Sequence, residues 1–527
     1  MRRTDETDPV ANGSFHTFIP STRSMRRMIY VLAPFALIAV FVLRGSDADE
    51  PVRASPSKAA AAKRVGEPLT PESFEALSGL HFGFRASDVS EAELASLPQS
   101  FPDGQPGDMT MQEPAGGYRD EIGIVTRSAA RWAITFDKRA EANMIANAKS
   151  SKWFPIHLDD PVHGGPVRFD LNPHKSVVNS STGDIAVKPD PVGNRAIIVD
   201  AAHEPHFLYF YALLMRERGN EAEFRWAVQE MKYWCAWNYL HMPDTGRGYG
   251  KGIFSPFATQ VRAAAWSLCA LFQLFHVLPK DDPWYPSVKY AVEQNILFLD
   301  GNFRLGTYDN SANKPYYDIP KGSLKNKLGL LVAREREYGG GRDGKQVMIA
   351  GFQAGFMAQV VLFGYRLNFD LNDEAGTAYK NLATFTARWP VMLFGPANTS
   401  GAYDWRRAGE YAMSVGVVRA DDTSNMFEDG GAVYAANYGS FPPLAEDKAF
   451  RDHDQDRFAE SIATSFLDSI LPALGMAVDL GAEGASAAFA RAESSTLWHA
   501  GGAYQFSMLP RGKFYRPAPK GAVTPQR

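Results

Sequence analysis

Cysteine is almost absent: Cys235 and Cys269 are the two found in 527 residues. That excludes a disulfide-stapled scaffold, and it excludes zinc sites of the CxxC kind because neither thiol has a second sulfur ligand close in sequence. Both cysteines fall in helix-periodic stretches among apolar neighbours. Two buried thiols and one bridge between successive helices are the two readings that remain. A dominant charge is lacking too. Lys and Arg total 55 against 59 Asp and Glu, a formal net charge of −4, so no global field draws the chain to nucleic acid or to anionic lipid.

Phosphate loops, dinucleotide turns and nucleophile elbows are missing in any supporting strand–turn–helix context. The glycine loop GGGRDGK, Gly339 to Lys345, lacks the Ser or Thr of a P-loop. HxxH between His203 and His206, with Asp200 close by, is the nearest approach to a metal-ligand spacing, but no HExxH motif exists. The acidic run Asp452 to Asp456 lacks the glycine and closing glutamate of a calcium loop. No metal and no cofactor are expected.

What the chain does have is an apolar run, Met28 to Leu43, reading MIYVLAPFALIAVFVL. Ahead of it lie Arg2, Arg3, Arg23, Arg26 and Arg27; behind it come Arg44, Asp47, Asp49 and Glu50. An arginine excess holds its side in the cytoplasm, so the bulk of the chain is expected outside it, as a single-pass protein of the inner membrane with a periplasmic body. Sixteen residues fall a little short of the roughly 20 that span a bilayer. A cleaved signal peptide is the rival, but Arg44 and the acids occupy the place of a small-residue cleavage site.

The remaining organisation follows from composition and period. Residues 1–27 form a basic head, 28–43 the anchor, 44–70 an Ala-, Ser- and Pro-containing tether, 71–120 a loop-rich leading segment, 121–500 a helical body and 501–527 a tail. In the body, Glu221 to His241 sets Phe224, Ala227, Val228, Met231, Trp234 and Cys235 on one side at a 3.6-residue period. Phe257 to Leu278 does the same and stops in PKDDP, where Pro279 and Pro283 cannot continue a helix. Trp284 to Phe303, Lys345 to Phe369, Thr377 to Arg388 and Asp456 to Val478 extend the series. Loops at 159–199, 242–256, 304–344 and 397–455 carry the clustered polar and aromatic residues, which suggests a site built from loops on a helical scaffold. The fold class is mainly α, helical hairpins side by side; an α/α toroid is the expected closure, in part from the resemblance given below.

Candidate chemistry gathers in three places. IIVDAAHEPHFLYFY offers Asp200, His203, Glu204 and His206 at the mouth of a helix. Two carboxylates, one protonated and one ionised, are what glycosidic hydrolysis needs; the bland alternative for Asp200 is a helix cap. GGYRDEIGIVTR contributes Arg119, Asp120 and Glu121. Arg262 and Trp266, four apart on a helix, form either one face of a sugar-stacking groove or part of a hydrophobic core. Tyr316 in one loop and Trp405 in another are further aromatic candidates for substrate contact.

Three segments together, GGYRDEIGIVTRSAARWAI (116–134), residues 200–238 beginning DAAHEP, and QVRAAAWSLCALFQLFHVLPKDDP (260–283), resemble a mostly uncharacterised family of bacterial proteins expected to form an α/α toroid, like many glycoside hydrolases and polysaccharide lyases. The resemblance carries over Arg119, Asp120, Asp200, His203, Arg262 and Trp266. It implies the fold rather than a reaction; the export signal, the helical scaffold, the aromatic loops and the convergent carboxylates together suggest a membrane-anchored carbohydrate-active enzyme on an extracytoplasmic polysaccharide, with Asp120 or Glu121 and Asp200 or Glu204 sharing acid and base roles. Arg119, His203, Arg262, Trp266, Tyr316 and Trp405 would then hold substrate. Hydrolysis is the first expectation, a lyase reaction the second, and a non-catalytic envelope component that binds glycan or protein the third.

Overall fold

The computed structural model describes residues 69–108, 122–174, 202, 206–241, 251–256, 261–309, 321–332, 346–396, 399–409, 412–418, 424–438, 469–494 and 504–515. The chain divides into two units, Met1–Pro51 and Val52–Arg527, and everything described belongs to the second. Among the described residues no helix is long and apolar enough to cross a membrane; the run Met28 to Leu43 lies outside them.

The second unit is mainly helical, as its periodicity predicts. Short helices come first among its described residues. In α1 (Pro71–Ser78), Thr70 accepts from the Ser73 N–H and Ser73 Oγ accepts from the Thr70 N–H, a reciprocal cap; Gly79 ends the helix at φ 70°. α2 (Glu91–Ala95) is capped by Ser90. α3 (Arg127–Thr135) and α4 (Lys138–Ser150) follow, α4 starting where Asp137 accepts from the Arg139 N–H at 2.7 Å.

The central helices are α5 (Tyr209–Glu217), α6 (Glu221–His241), α7 (Val261–Val277) and α8 (Tyr285–Leu299). Every member of the apolar stripe read from α6 is buried. α7 is buried on almost every side and contacts α5, α6, α8 and α9 (Gly351–Arg366), so it occupies the middle of the packing. α10 (Asp373–Thr386), α11 (Arg388–Leu393), α12 (Gly430–Tyr438), α13 (Leu471–Asp479) and α14 (Ala485–Ser494) complete the helices described.

Several boundaries differ from the sequence reading. Lys345 to Phe369 is not one helix: Gln346–Ala350 forms strand β1, paired antiparallel with β2 (Ala412–Val418), which pairs with β3 (Ser424–Met426). Val347 and Ile349 alternate into the core at 1% and 0% exposure, and a partner strand distant in sequence supplies their hydrogen bonds. The loop read at 397–455 accordingly contains β2, β3 and α12. α8 passes after Leu299 into a π-helical turn, Asp300–Leu305, closed by Gly306 at φ 68°. α10 begins at Asp373 rather than Thr377 because Asn372 accepts from the Ala375 N–H at 2.8 Å. Of the stretch Asp456 to Val478, residues 456–468 lie outside the description.

The segment 504–515 returns to the first helices. Gly83 donates its N–H to the Ser507 carbonyl at 2.7 Å and accepts from Tyr515 at 2.6 Å, while Leu509 donates to the His81 carbonyl at 3.0 Å. A Cβ at Gly83 would lie 2.2 Å from Leu509 Cδ1, so only glycine admits this approach. Cys235 and Cys269 are buried free thiols on the packed pair α6 and α7. Burial pushes both thiols well above their ordinary value.

Candidate functional site

A cavity of about 170 Å³ lies where α2, α3 and the approach to α5 meet. Ser96, Leu97 and Pro98 line it from the end of α2, Asp108 from a following turn, Arg127, Ser128 and Arg131 from α3, and Phe207 from the chain just before α5. Each is fixed by local structure. Ser96 Oγ donates back to the Glu93 carbonyl at 2.8 Å, and the Pro98 carbonyl accepts from Asn143 Nδ2 at 2.8 Å.

Asp108 is held at both ends by one side chain. Its N–H donates to Asn147 Oδ1 at 2.8 Å, and its Oδ2 accepts from Asn147 Nδ2 at 2.9 Å. Asn147 is fully buried on α4. Gly107, at φ 76°, makes the turn, and a Cβ there would stand 2.5 Å from Asn147 Oδ1. Glycine, asparagine and aspartate thus form one positioning unit.

On α3, Arg127 and Arg131 are four apart and lie over the Tyr504 ring at 5.9 and 5.8 Å. Arg131 Nε donates to Glu93 Oε1 at 3.0 Å, and the Tyr504 hydroxyl donates to Glu93 Oε2 at 2.9 Å. Burial, with the Glu93 charge and hydrogen bond added, pushes the Tyr504 phenol above its ordinary value. The first turn of α3 holds no acid, and among the described residues Thr126 makes no side-chain bond to the helix backbone. Its hydroxyl meets Ser128 Oγ at 3.2 Å instead. A cation at the first helical position, where the helix end is itself partly positive, is placed against the usual preference.

Next to Phe207 stands His206, 4% exposed. Its Nδ1 accepts from the Leu208 N–H at 3.2 Å, which puts the ring proton on Nε2. Burial lowers its pKa to about 3, so the ring is neutral, and Nε2 is buried with no hydrogen-bond partner among the described residues. His206 is therefore a neutral donor rather than a general base near pH 7. The Tyr209 hydroxyl and Nδ1 of His276 share a hydrogen bond at 2.7 Å; burial and then Arg216 lower His276 to about 3, so it too is neutral.

A second polar cluster sits on α6. His157 donates from Nδ1 to the Phe154 carbonyl at 2.9 Å and from Nε2 to Glu230 Oε2 at 2.8 Å, and its ring packs on Tyr233, whose hydroxyl donates to Asp159. Burial opposes charge on His157, but the Glu230 hydrogen bond and charge outweigh it and raise the group above its ordinary value. With both ring nitrogens engaged, this histidine clamps residues 153–160 to α6 and has no nitrogen left for a substrate.

Of the residues expected in the site, Arg119, Asp120, Glu121, Asp200, His203, Glu204 and Tyr316 lie outside the described residues. Arg262 is 5% exposed; its N–H donates to Gln353 Oε1 at 3.1 Å and its guanidinium lies 5.9 Å over the Phe352 ring. Trp266 is 1% exposed and packs on Phe356 with ring centroids 4.8 Å apart. It completes the core between α7 and α9 and shows no ring face to a ligand. Trp405 is half-buried in a short turn, Trp405–Arg407, packed against the core. Among the described residues, the cavity lining includes none of these three.

Asp108, Arg127, Arg131 and Ser96 were not singled out from the sequence. One signal was legible: TRSAAR sets two arginines at i and i+4 at a helix start without an acid in the first turn. Comparisons with protein-family models, with curated proteins and with solved structures return no match, and the functional reading rests on the residues themselves.

Proposed function

We propose that this protein is a membrane-tethered carbohydrate-active enzyme with its body outside the cytoplasm, most simply a glycoside hydrolase of an extracytoplasmic polysaccharide. The observation that carries the reading is the lining of the cavity. Arg127 follows Glu121 by six residues and Phe207 follows Glu204 by three, and both line the same space. In this reading the two acid-bearing segments serve one site: Asp120 or Glu121 and Asp200 or Glu204 divide the acid and base roles, and Arg119 and His203 hold substrate. The cavity supplies what a sugar ring uses, an aromatic side chain beside a carboxylate, a guanidinium and hydroxyls.

The helical hairpins, in the same reading, close into an α/α toroid. Support comes from the packing of successive helices, α3 on α4, α5 on α6, α6 on α7 and α7 on α8, together with the return of Tyr504–Phe506 against α3. Residues 28–43 serve as the membrane anchor.

The test uses the full chain in detergent, incubated with neutral and acidic polysaccharides. New reducing ends without an unsaturated product support hydrolysis. New reducing ends with ultraviolet absorbance from an unsaturated sugar assign the lyase reaction instead. Saturable binding without any new ends makes the protein a glycan-binding envelope component, and absence of both binding and cleavage overturns the carbohydrate reading.

A further inference from the structure

We infer that His157 is a pH-operated latch: as an imidazolium it pins the turn 154–160 to α6, and loss of its proton releases that turn. The inference is independent of the carbohydrate reading.

Geometry decides which form of the ring belongs there. Nδ1 lies 2.9 Å from the Phe154 carbonyl oxygen, and Nε2 lies 2.8 Å from Glu230 Oε2. A carbonyl only accepts, and so does an ionised carboxylate. A neutral imidazole has one N–H, so it would turn a lone pair toward one of the two oxygens. Only the imidazolium donates to both.

Glu230 makes loss of the proton costly. Its side chain is 8% exposed, and among the described residues His157 is its ion-pair partner. Discharging one member of such a pair leaves the other charge buried without compensation. The His157 side chain is itself 30% exposed, so water reaches the proton that has to leave.

The other groups facing the ring favour the same form or keep their own protons. Asp159, in the same turn, adds negative charge. Tyr233, on α6, lays its ring against the imidazole with centroids 4.8 Å apart and donates its hydroxyl to Asp159. Burial and that bond push the phenol above its ordinary value, so it stays neutral where a histidine titrates. Burial opposes charge on His157, and the Glu230 hydrogen bond and charge outweigh it. The latch is therefore closed below pH 6.5 and opens as pH rises through the higher folded value.

What it holds is a small, defined piece of backbone. Ile156 donates its N–H to the Phe154 carbonyl at 2.8 Å, Leu158 to the Ile156 carbonyl at 2.8 Å and Asp160 to the Gly165 carbonyl at 2.7 Å. The Phe154 ring packs on Trp234 and Phe207, with centroids 4.9 and 6.2 Å apart. Phe207 lines the cavity, so release of the turn loosens a neighbour of the cavity wall. His163 is a different case. Among the described residues its ring faces one acceptor, Asp160 Oδ2, at 3.1 Å from Nδ1. A neutral ring with its proton on Nδ1 keeps that bond.

The experiment is hydrogen exchange of peptides spanning 154–160 in the full chain in detergent, with intrinsic exchange rates divided out. Protection in the wild type is expected to fall by about tenfold between about pH 6 and about pH 9. His157→Gln should show low protection without that dependence. Glu230→Gln should do the opposite and stay protected throughout, because its amide can donate to the bare Nε2 of a neutral ring and accept from a charged one. His163→Gln should keep the wild-type fall. A flat wild-type profile overturns the latch, and so does a fall that His157→Gln retains, which assigns the proton to another group. Glu230→Gln losing protection at the alkaline end also overturns it, because the facing lone pair would then not be what opens the turn.

Discussion

Replacing Trp266 separates a core residue from a sugar-stacking one. Its side chain is 1% exposed, inside the contact between α7 and α9, with the Phe356 ring 4.8 Å away. Trp266→Ala deletes an indole from a close-packed site, and large aromatic truncations of this kind cost about 3–5 kcal/mol. Net stabilities of folded domains are only about 5–15 kcal/mol, so the variant should unfold at markedly lower denaturant or temperature. Trp266→Phe is the sharper comparison. The indole Nε1 is buried with no hydrogen-bond partner among the described residues, so removing it breaks no hydrogen bond and the loss reduces to a smaller ring, about 1–2 kcal/mol. Unfolding midpoints of the full chain and both variants, followed by circular dichroism, measure the ordering wild type, then Phe, then Ala. Unchanged midpoints accompanied by lost glycan binding would refute the core assignment and restore Trp266 to a ligand face.

Three further outcomes are expected. His81 donates to Glu75 at 2.9 Å and to the Lys513 carbonyl at 3.0 Å, joining α1 to the segment 504–515. Burial opposes its charge, but these bonds raise its pKa above the ordinary 6.5. Its contribution is therefore full below pH 6.5 and lost as pH rises through the higher folded value; hydrogen exchange in 504–515 should quicken over that window in the wild type and show no such dependence in His81→Phe. Asp137 caps α4, and the Arg139 side-chain and backbone hydrogen bonds lower its pKa to about 2. Asp137→Ala should cost about 0.5–2 kcal/mol near neutral pH, a difference that disappears as pH falls from about 3.8 through 2. Gly107→Ala forces a Cβ to 2.5 Å from Asn147 Oδ1 at φ 76°; its unfolding midpoint should fall further than that of Gly164→Ala, which has a similar positive φ, 71°, but open surroundings.

How much of this was legible in the sequence depends on the range of the interactions. The α6 stripe from Phe224 to Cys235 was readable because a helix repeats its buried face every turn, and the structure buries each member. β1 was not readable. VMIAGFQAGF is apolar but for Gln353, so a short buried strand and the helix after it share one pattern, and the pairing of Met348 with Ser414 that decides between them is remote in sequence. The same distance problem hid the cavity. Asp108 is placed by Asn147, 39 residues away, and Glu93 is bonded by Tyr504, 411 residues away. Arg262 and Trp266 show the opposite limit: a helical i, i+4 pair states a shared face but not whether that face looks to solvent or to a neighbouring helix. In α7 it looks to α9.

The most direct test of the account is glycan turnover by the full chain set beside Glu204→Gln and Asp200→Asn, with unfolding midpoints measured on the same samples. The account predicts that the wild type releases reducing ends from a polysaccharide. At least one of the two substitutions should lower that rate by about 10²-fold or more at an unchanged midpoint. Turnover that survives both substitutions, or a wild-type chain that cleaves no glycan, would contradict it.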